Sequence, residues 1–246
     1  MFRFFRIHGA THEADVRDRV VPALNGRGSV CDTPDLPGNG IDRRPATEVH
    51  PARHVETLGQ SVAAAPKPVI LVGHSMAGII LSEPGARMLE RIGALAWPAA
   101  FMLLGRHAIL RFKAEPRDPS RKGARVALRM CPDGSPSTID PSRAPALLCN
   151  TFAPEDAATA ARLNPMPARP RADPIHLAPE RWGRLPRHCG RTLQDAPVFP
   201  DLQERMRALA PGTDVEVLDT DHSPALCAPQ AMAGWLDRIA RRHERV

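Results

Sequence analysis

The sequence predicts a single α/β domain, a mostly parallel sheet of about six strands covered on both faces by helices. Three observations point there. Short β-type runs alternate with helical patterns through most of the 246 residues. The run Pro68-Val69-Ile70-Leu71-Val72 is continuous and β-branched, as a strand buried on both faces must be. The chain closes with an amphipathic helix over Pro229 to Arg241, whose Met232, Trp235, Leu236 and Ile239 share one face.

Taken in order, Phe2 to Ile7 reads as a strand feeding the loop His8-Gly9-Ala10. Val16, Val20, Val21 and Leu24 stand at helical spacing, and Gly26 and Gly28 stop that helix. Ser29 to Thr33 is a weak strand before the turn Pro34-Asp35-Leu36-Pro37-Gly38-Asn39-Gly40. Pro51 to Ala65 is a helix with proline in its first turn, where a missing N–H does no harm. After the buried strand, Met76 to Arg91 forms a helix that Pro84 and Gly85 are expected to disturb midway. Leu95 to Leu103 is part strand and part loop. Arg187 to Thr192 is a strand weakened by Cys189-Gly190, Asp201 to Ala210 a helix capped by Asp201, and Asp214 to Leu218 a strand.

From about Gly105 to Pro186 prolines crowd the chain, with short helical pieces at Pro141 to Leu148 and Pro154 to Leu163. An insertion of this length between two strands, still carrying apolar residues, reads as a lid. The expected organisation is therefore a core of residues 1–105 and 186–246 with a lid over 106–185.

Composition narrows the function classes. The net charge is +6, but arginines are scattered among acids rather than gathered into a patch, which argues against nucleic-acid binding. Five cysteines, with no C-x-x-C pair, argue against a disulfide framework and a zinc knuckle. The longest apolar run, Ile92 to Leu104, contains Pro98 and is too short to span a bilayer. The amino terminus, Met1-Phe2-Arg3-Phe4-Phe5-Arg6, is too charged for a secretory signal. The expectations are a cytoplasmic protein with no membrane or nucleic-acid partner, no metal and no cofactor; a homodimer is admissible. Aromatic content is 4%, with no tyrosine.

Four segments carry chemistry. Val72-Gly73-His74-Ser75-Met76-Ala77-Gly78 follows a buried strand and opens a helix, so Ser75 sits on a strained turn at the carboxyl end of the sheet. The usual G-x-S-x-G becomes G-x-S-x-A here, with Gly78 one place later. Asp219-Thr220-Asp221-His222-Ser223-Pro224 follows the last strand and offers His222 as a base. Asp195 precedes it, in the chain order serine, acid, histidine, with Asp201 a weaker competitor read as a helix cap. Asp219 and Asp221 read as turn residues, and most of the other nine histidines as surface groups. In His8-Gly9-Ala10, the Ala10 N–H is expected to complete an oxyanion hole with that of Met76. Gly9, Thr11 and His74 are assigned to substrate binding. Glu13 and Asp15 lie close downstream, where a carboxylate aimed at the hole would oppose an oxyanion, and they are read as pointing to solvent.

Together these segments resemble the bacterial esterase and plant methyl-esterase/hydroxynitrile-lyase branch of the α/β-hydrolases. The matching stretches are His8-Gly9-Ala10, Arg19 to Leu24, Pro34 to Gly38, Val69 to Gly78, Pro154-Glu155-Asp156-Ala157, Pro179-Glu180-Arg181-Trp182-Gly183 and Asp219 to Pro224. The resemblance implies a six-stranded sheet, a lid, no cofactor and hydrolysis of a small-molecule ester through an acyl-enzyme. The chain departs from these relatives at Thr11 to Arg17, where they carry tryptophans, and at Cys149 and Cys189, where they commonly carry tyrosine. Lyases of the branch have threonine and lysine where Gly9 and Ser223 stand, so no cation would hold a cyanide leaving group. A second hypothesis, prompted by Ala77, Glu13 and Asp15, is a ligand-binding protein on the same scaffold with little or no turnover.

Overall fold

A computed structural model describes residues 3–11, 19–40, 42, 44–66, 68–103, 108–109, 128–129, 138–151, 163–174 and 179–243. The expected helix over Pro154 to Leu163, the amino-terminal part of the helix from Val16, and Glu13 and Asp15 lie outside the described residues.

Six strands form one parallel sheet in the order β2-β1-β3-β4-β7-β8. They are β1 (Arg3–Ile7), β2 (Val30–Asp32), β3 (Val69–Gly73), β4 (Ile92–Pro98), β7 (Arg187–Thr192) and β8 (Asp214–Leu218). A separate antiparallel pair, β5 (Leu128–Arg129) with β6 (Thr138–Ile139), lies within the insertion. The strand order reverses between β1 and β3, whose registered ends are Ile7 and Gly73. The crevice beyond the carboxyl ends of strands at such a switch point is the ordinary binding place of an open α/β sheet.

Alternation along the strands sorts the core into two layers. Phe5, Ile7, Val69, Leu71, Leu95 and Trp97 face α2 (Pro51–Ala64) and α3 (Ala77–Arg87). Phe4, Ile70, Val72, Ala94 and Ala96 face α1 (Val20–Asn25) and the closing helix α9 (Pro229–His243). This period of two is what a sheet buried on both sides requires. The remaining α-helices among the described residues are α4 (Ala144–Leu148), α5 (Arg169–Ala172), α6 (Pro179–Trp182), α7 (Pro200–Ala208) and α8 (Pro224–Cys227).

Several expectations are corrected. Pro84 does not break α3, which runs on to Arg87 with every residue from Ala77 to Ala86 buried. Packing on all sides outweighs one missing backbone donor. The helix does stop before Arg91, giving way to a 3₁₀ turn at Leu89–Arg91. Asp201 is not the cap of α7; that place belongs to Phe199, and Asp201 lies in the first turn. The weak-looking Cys189-Gly190 lies in the middle of β7, between β4 and β8. A Cβ on Gly190 would stand 2.9 Å from the Trp235 ring, so glycine is required by the helix packed above it. His8, His54 and His188 are buried rather than on the surface.

Between β4 and β7 the chain leaves the sheet and returns to the neighbouring strand position. Described parts of this insertion contact loops at the carboxyl ends of the strands: a Cβ on Gly38 would meet Pro167, Asn164 N–H donates to Thr11 O at 2.9 Å, and Thr151 bonds Asp221. A small cluster of Ile139, Ala144, Leu147, Leu148 and Cys149 packs with Ala196 and Leu226 of the core.

Candidate active site

The turn after β3 is built by close backbone approaches. A Cβ on Gly73 would lie 2.7 Å from Leu81 and 2.9 Å from Ala77 O. One on Gly78 would lie 2.5 Å from Phe101 O and 2.8 Å from Trp97. Gly78, not residue 77, is therefore the tight contact on the helix side, and Ala77 is accommodated, fully buried. Ser75 has φ +53°, a left-handed conformation that a serine adopts only when its surroundings hold it there. Phe101 N–H donates to Ser75 O at 3.0 Å and Gly78 N–H at 3.1 Å, which pins the turn. Trp97 Nε1–H donates to Gly78 O at 2.8 Å from beneath.

The three groups predicted to act together are brought together. His222 Nε2 stands 3.0 Å from Ser75 Oγ, and His222 Nδ1 stands 2.9 and 3.0 Å from the two oxygens of Asp195. The carboxylate takes the Nδ1–H, which leaves the Nε2 lone pair to accept from the serine hydroxyl. All three side chains are nearly withdrawn from water, with Ser75 at 8% exposure and His222 and Asp195 at 3%.

Asp195 is anchored independently of the histidine. It accepts Val198 N–H at 2.7 Å and Thr192 Oγ1–H at 3.0 Å. Gln203, on the inner face of α7, bonds Thr192 through both its amide ends and donates to Val198 O at 2.6 Å. Sequence reasoning missed Gln203; its only signal was a phase shared with Leu202 and Met206, both buried. The turn reading of Asp221 holds: its Oδ1 accepts Ser223 N–H at 2.8 Å.

The loop after β1 lies against Ser75. A Cβ on Gly9 would stand 2.8 Å from Ser75 Cβ and 3.0 Å from His74 Nδ1, so no larger residue fits unaltered. His8 Nε2 accepts Leu36 N–H at 3.0 Å, which leaves Nδ1–H to donate to Gly9 O at 2.9 Å. Thr11 is buried at φ +65°, its hydroxyl turned to Ala10 O and its N–H given to Met166 Sδ at 3.1 Å. Ala10 is half-buried between them. The Met76 N–H, at the amino end of α3, donates to no group among the described residues. The His74 ring turns toward the loop of His222, Nε2–H donating to His222 O at 2.7 Å. Of the three residues assigned to substrate binding, Gly9 faces the serine, while Thr11 and His74 direct their side chains at protein groups.

Beneath the turn at Gly38, His54 is fully buried, with Nε2 donating to Pro37 O at 3.0 Å. Burial pushes its pKa down to about 4. Burial likewise pushes the thiols of Cys149 and Cys189 up to about 11. Among the described residues no group of three or more histidine, cysteine, aspartate or glutamate side chains could hold a metal ion. No helix among them is long and apolar enough to cross a membrane.

Comparison with known proteins agrees with this architecture. A family model described as the alpha/beta hydrolase family matches residues 7–235. The chain is 27% identical over 251 residues to putative methylesterase 12, chloroplastic, of Arabidopsis thaliana, covering 97% of this chain and 72% of that one. It is 26% identical over 267 residues to esterase PIR7B of Oryza sativa subsp. japonica, covering 98% and 96%. Among solved structures it resembles a pyrethroid hydrolase from Sphingobium faniae JZ-2, with a TM-score of 0.87 at 22% identity, over 100% of this chain and 99% of that one.

Proposed function

The chain belongs to the alpha/beta hydrolase family, and from that premise we propose that it is a serine esterase cleaving small or medium acyl or aryl esters. The observation that carries the reading is the chain of hydrogen bonds from Ser75 Oγ through the His222 ring to Asp195, at 3.0 and 2.9 Å, on a serine held at positive φ. The names of the plant relatives, a methylesterase and an esterase, favour an ester as substrate.

In this mechanism Ser75 Oγ attacks the ester carbonyl carbon as its proton passes to His222 Nε2. Asp195 holds the imidazolium that forms. The carbonyl oxygen gains the negative charge, and the Ala10 and Met76 N–H groups receive it; each such donor lowers a barrier by about 3 kcal/mol. The alcohol departs with the proton from His222, leaving an acyl group on Ser75. Water, deprotonated by the same imidazole, attacks that carbonyl and frees the acid and the serine. Residue 223 is a serine whose hydroxyl donates to Leu148 O, so no cation at that place holds a cyanide leaving group. A reducing, cytoplasmic setting belongs to the same proposal, supported by the free thiols of Cys149, Cys189 and Cys227.

The test is stoichiometric labelling by a fluorophosphonate together with turnover of a p-nitrophenyl ester series of rising acyl length. Labelling and turnover that disappear in Ser75→Ala are the expected results. Tight binding of small acids or esters with no labelling of the wild-type chain would replace the esterase by a ligand-binding protein on the same scaffold.

A further inference from the structure

Behind the base, side chains from the insertion and from the base loop meet around a buried carboxylate. Asp221 is fully buried. Its Oδ1 accepts Ser223 N–H at 2.8 Å and lies 3.4 Å from Cys227 Sγ. Its Oδ2 accepts both the N–H of Thr151, at 3.0 Å, and the Thr151 hydroxyl, at 2.7 Å. Ser223 Oγ–H donates to Leu148 O at 2.8 Å, and Cys149 Sγ lies 3.8 Å from the same hydroxyl. Asn150 Nδ2–H reaches Gln194 O at 3.2 Å, one residue before the acid. Four consecutive residues of the insertion thus bond to the neighbours of His222 on both sides and to the neighbour of Asp195.

Such an arrangement is stringent. A carboxylate withdrawn from water is tolerated only when its lone pairs are filled by donors. Thr151 supplies two of the donors to Asp221, so losing one obliges the loop to shift or to admit water. The loop that would shift carries His222, and a displacement of about 1 Å at a reacting group lowers a rate roughly a hundredfold.

We propose that Thr151 and Asp221 are positioning residues, a latch through which the insertion holds the base loop in line with Ser75. The inference rests on the esterase reading above. It predicts that catalysis depends on a side chain that touches neither substrate nor nucleophile.

The experiment uses the full chain. Thr151→Val removes the hydroxyl donor at nearly constant volume, and Thr151→Ser keeps it. Readouts are kcat and KM for p-nitrophenyl acetate, the rate of Ser75 labelling by a fluorophosphonate, and Tm. Thr151→Val is expected to lower kcat and the labelling rate about tenfold or more with KM nearly unchanged, and Thr151→Ser to recover most of both. Met232→Ala, on the buried face of α9, is the control for lost stability alone: it lowers Tm with labelling at 25 °C retained. Should Thr151→Val fail to fold, Asp221→Asn takes its place, since the single amide oxygen cannot accept from both Thr151 and Ser223 N–H, and one of them then faces an N–H₂. Wild-type turnover in Thr151→Val, with only Tm reduced as in Met232→Ala, would overturn the latch. Failure of the wild-type chain itself to label would instead remove the esterase reading and the latch with it.

Discussion

Two histidine–aspartate arrangements sit at opposite ends of the same sheet, both with a buried imidazole, and they differ in the carboxylate and in the group beyond the ring. At the carboxyl ends of the strands, His222 lies 2.9 Å from an Asp195 whose side chain is out of water, with a strained serine 3.0 Å from its other nitrogen. At the amino ends of β7 and β8, His188 lies 3.6 Å from Asp214, whose side chain is 59% exposed. Its Nε2 faces another imidazole, His243, at 3.0 Å, and Asp214 is shared with Arg242. Burial, and then the neighbouring His243, push the His188 pKa down to about 4, outweighing the pull of Asp214. An imidazole beside a carboxylate is therefore not a catalytic base by composition. The base role proposed for His222 rests on a carboxylate that is buried and anchored, and on strand ends that leave a crevice beside Ser75.

Exchange of the histidines gives the sharpest break. His222→Gln is expected to lower p-nitrophenyl ester turnover by roughly 10⁴–10⁶, while His188→Gln leaves turnover near wild type; equal losses would erase the distinction. Next, Asp195→Asn should lower kcat by about 10⁴ through the wrong imidazole tautomer, and Asp214→Asn should change it little, both read from the same kinetics. Gly9→Ala brings a methyl to within 2.8 Å of Ser75 Cβ. About a tenfold or greater loss of kcat and slower fluorophosphonate labelling are expected, since the loop must move by a fraction of the ~1 Å that would lower the rate a hundredfold.

The smallest effect lies in the pH dependence of stability. Folding lowers the pKa of His188 from 6.5 to about 4, so between those values the unfolded chain binds more protons than the folded one. The contribution is complete above about pH 6.5 and is lost as pH falls toward 4. His54, lowered over the same range, adds to the slope with the same sign. Tm measured from pH 7 to 4.5 should fall, and His188→Gln should flatten the decline. An unchanged slope in that variant would mean that His188 is as easily protonated in the fold as outside it.

Much of the frame was legible because periodicity and glycine placement are local properties. The buried β-branched run at Val69 to Val72, the turn at Gly73 to Gly78 and the apolar face of α9 announce a parallel sheet without reference to the rest of the chain. Chain order and position after strands pointed to Ser75, Asp195 and His222 among many serines, aspartates and histidines, and the fold brings these three side chains within hydrogen-bond distance. Local rules misjudged places where a distant partner decides: Pro84 survives inside a buried helix, and Gly190 suits its strand because Trp235 lies over it.

What tertiary structure alone decided is the support around the site. Gln203 holding Thr192, Met166 taking the Thr11 amide, and Thr151 filling Asp221 join residues 11, 155 and 70 positions apart. No spacing rule reaches such distances. Sequence patterns record which face of an element is buried, whereas a hydrogen bond between two loops depends on how the folded strands bring those loops together.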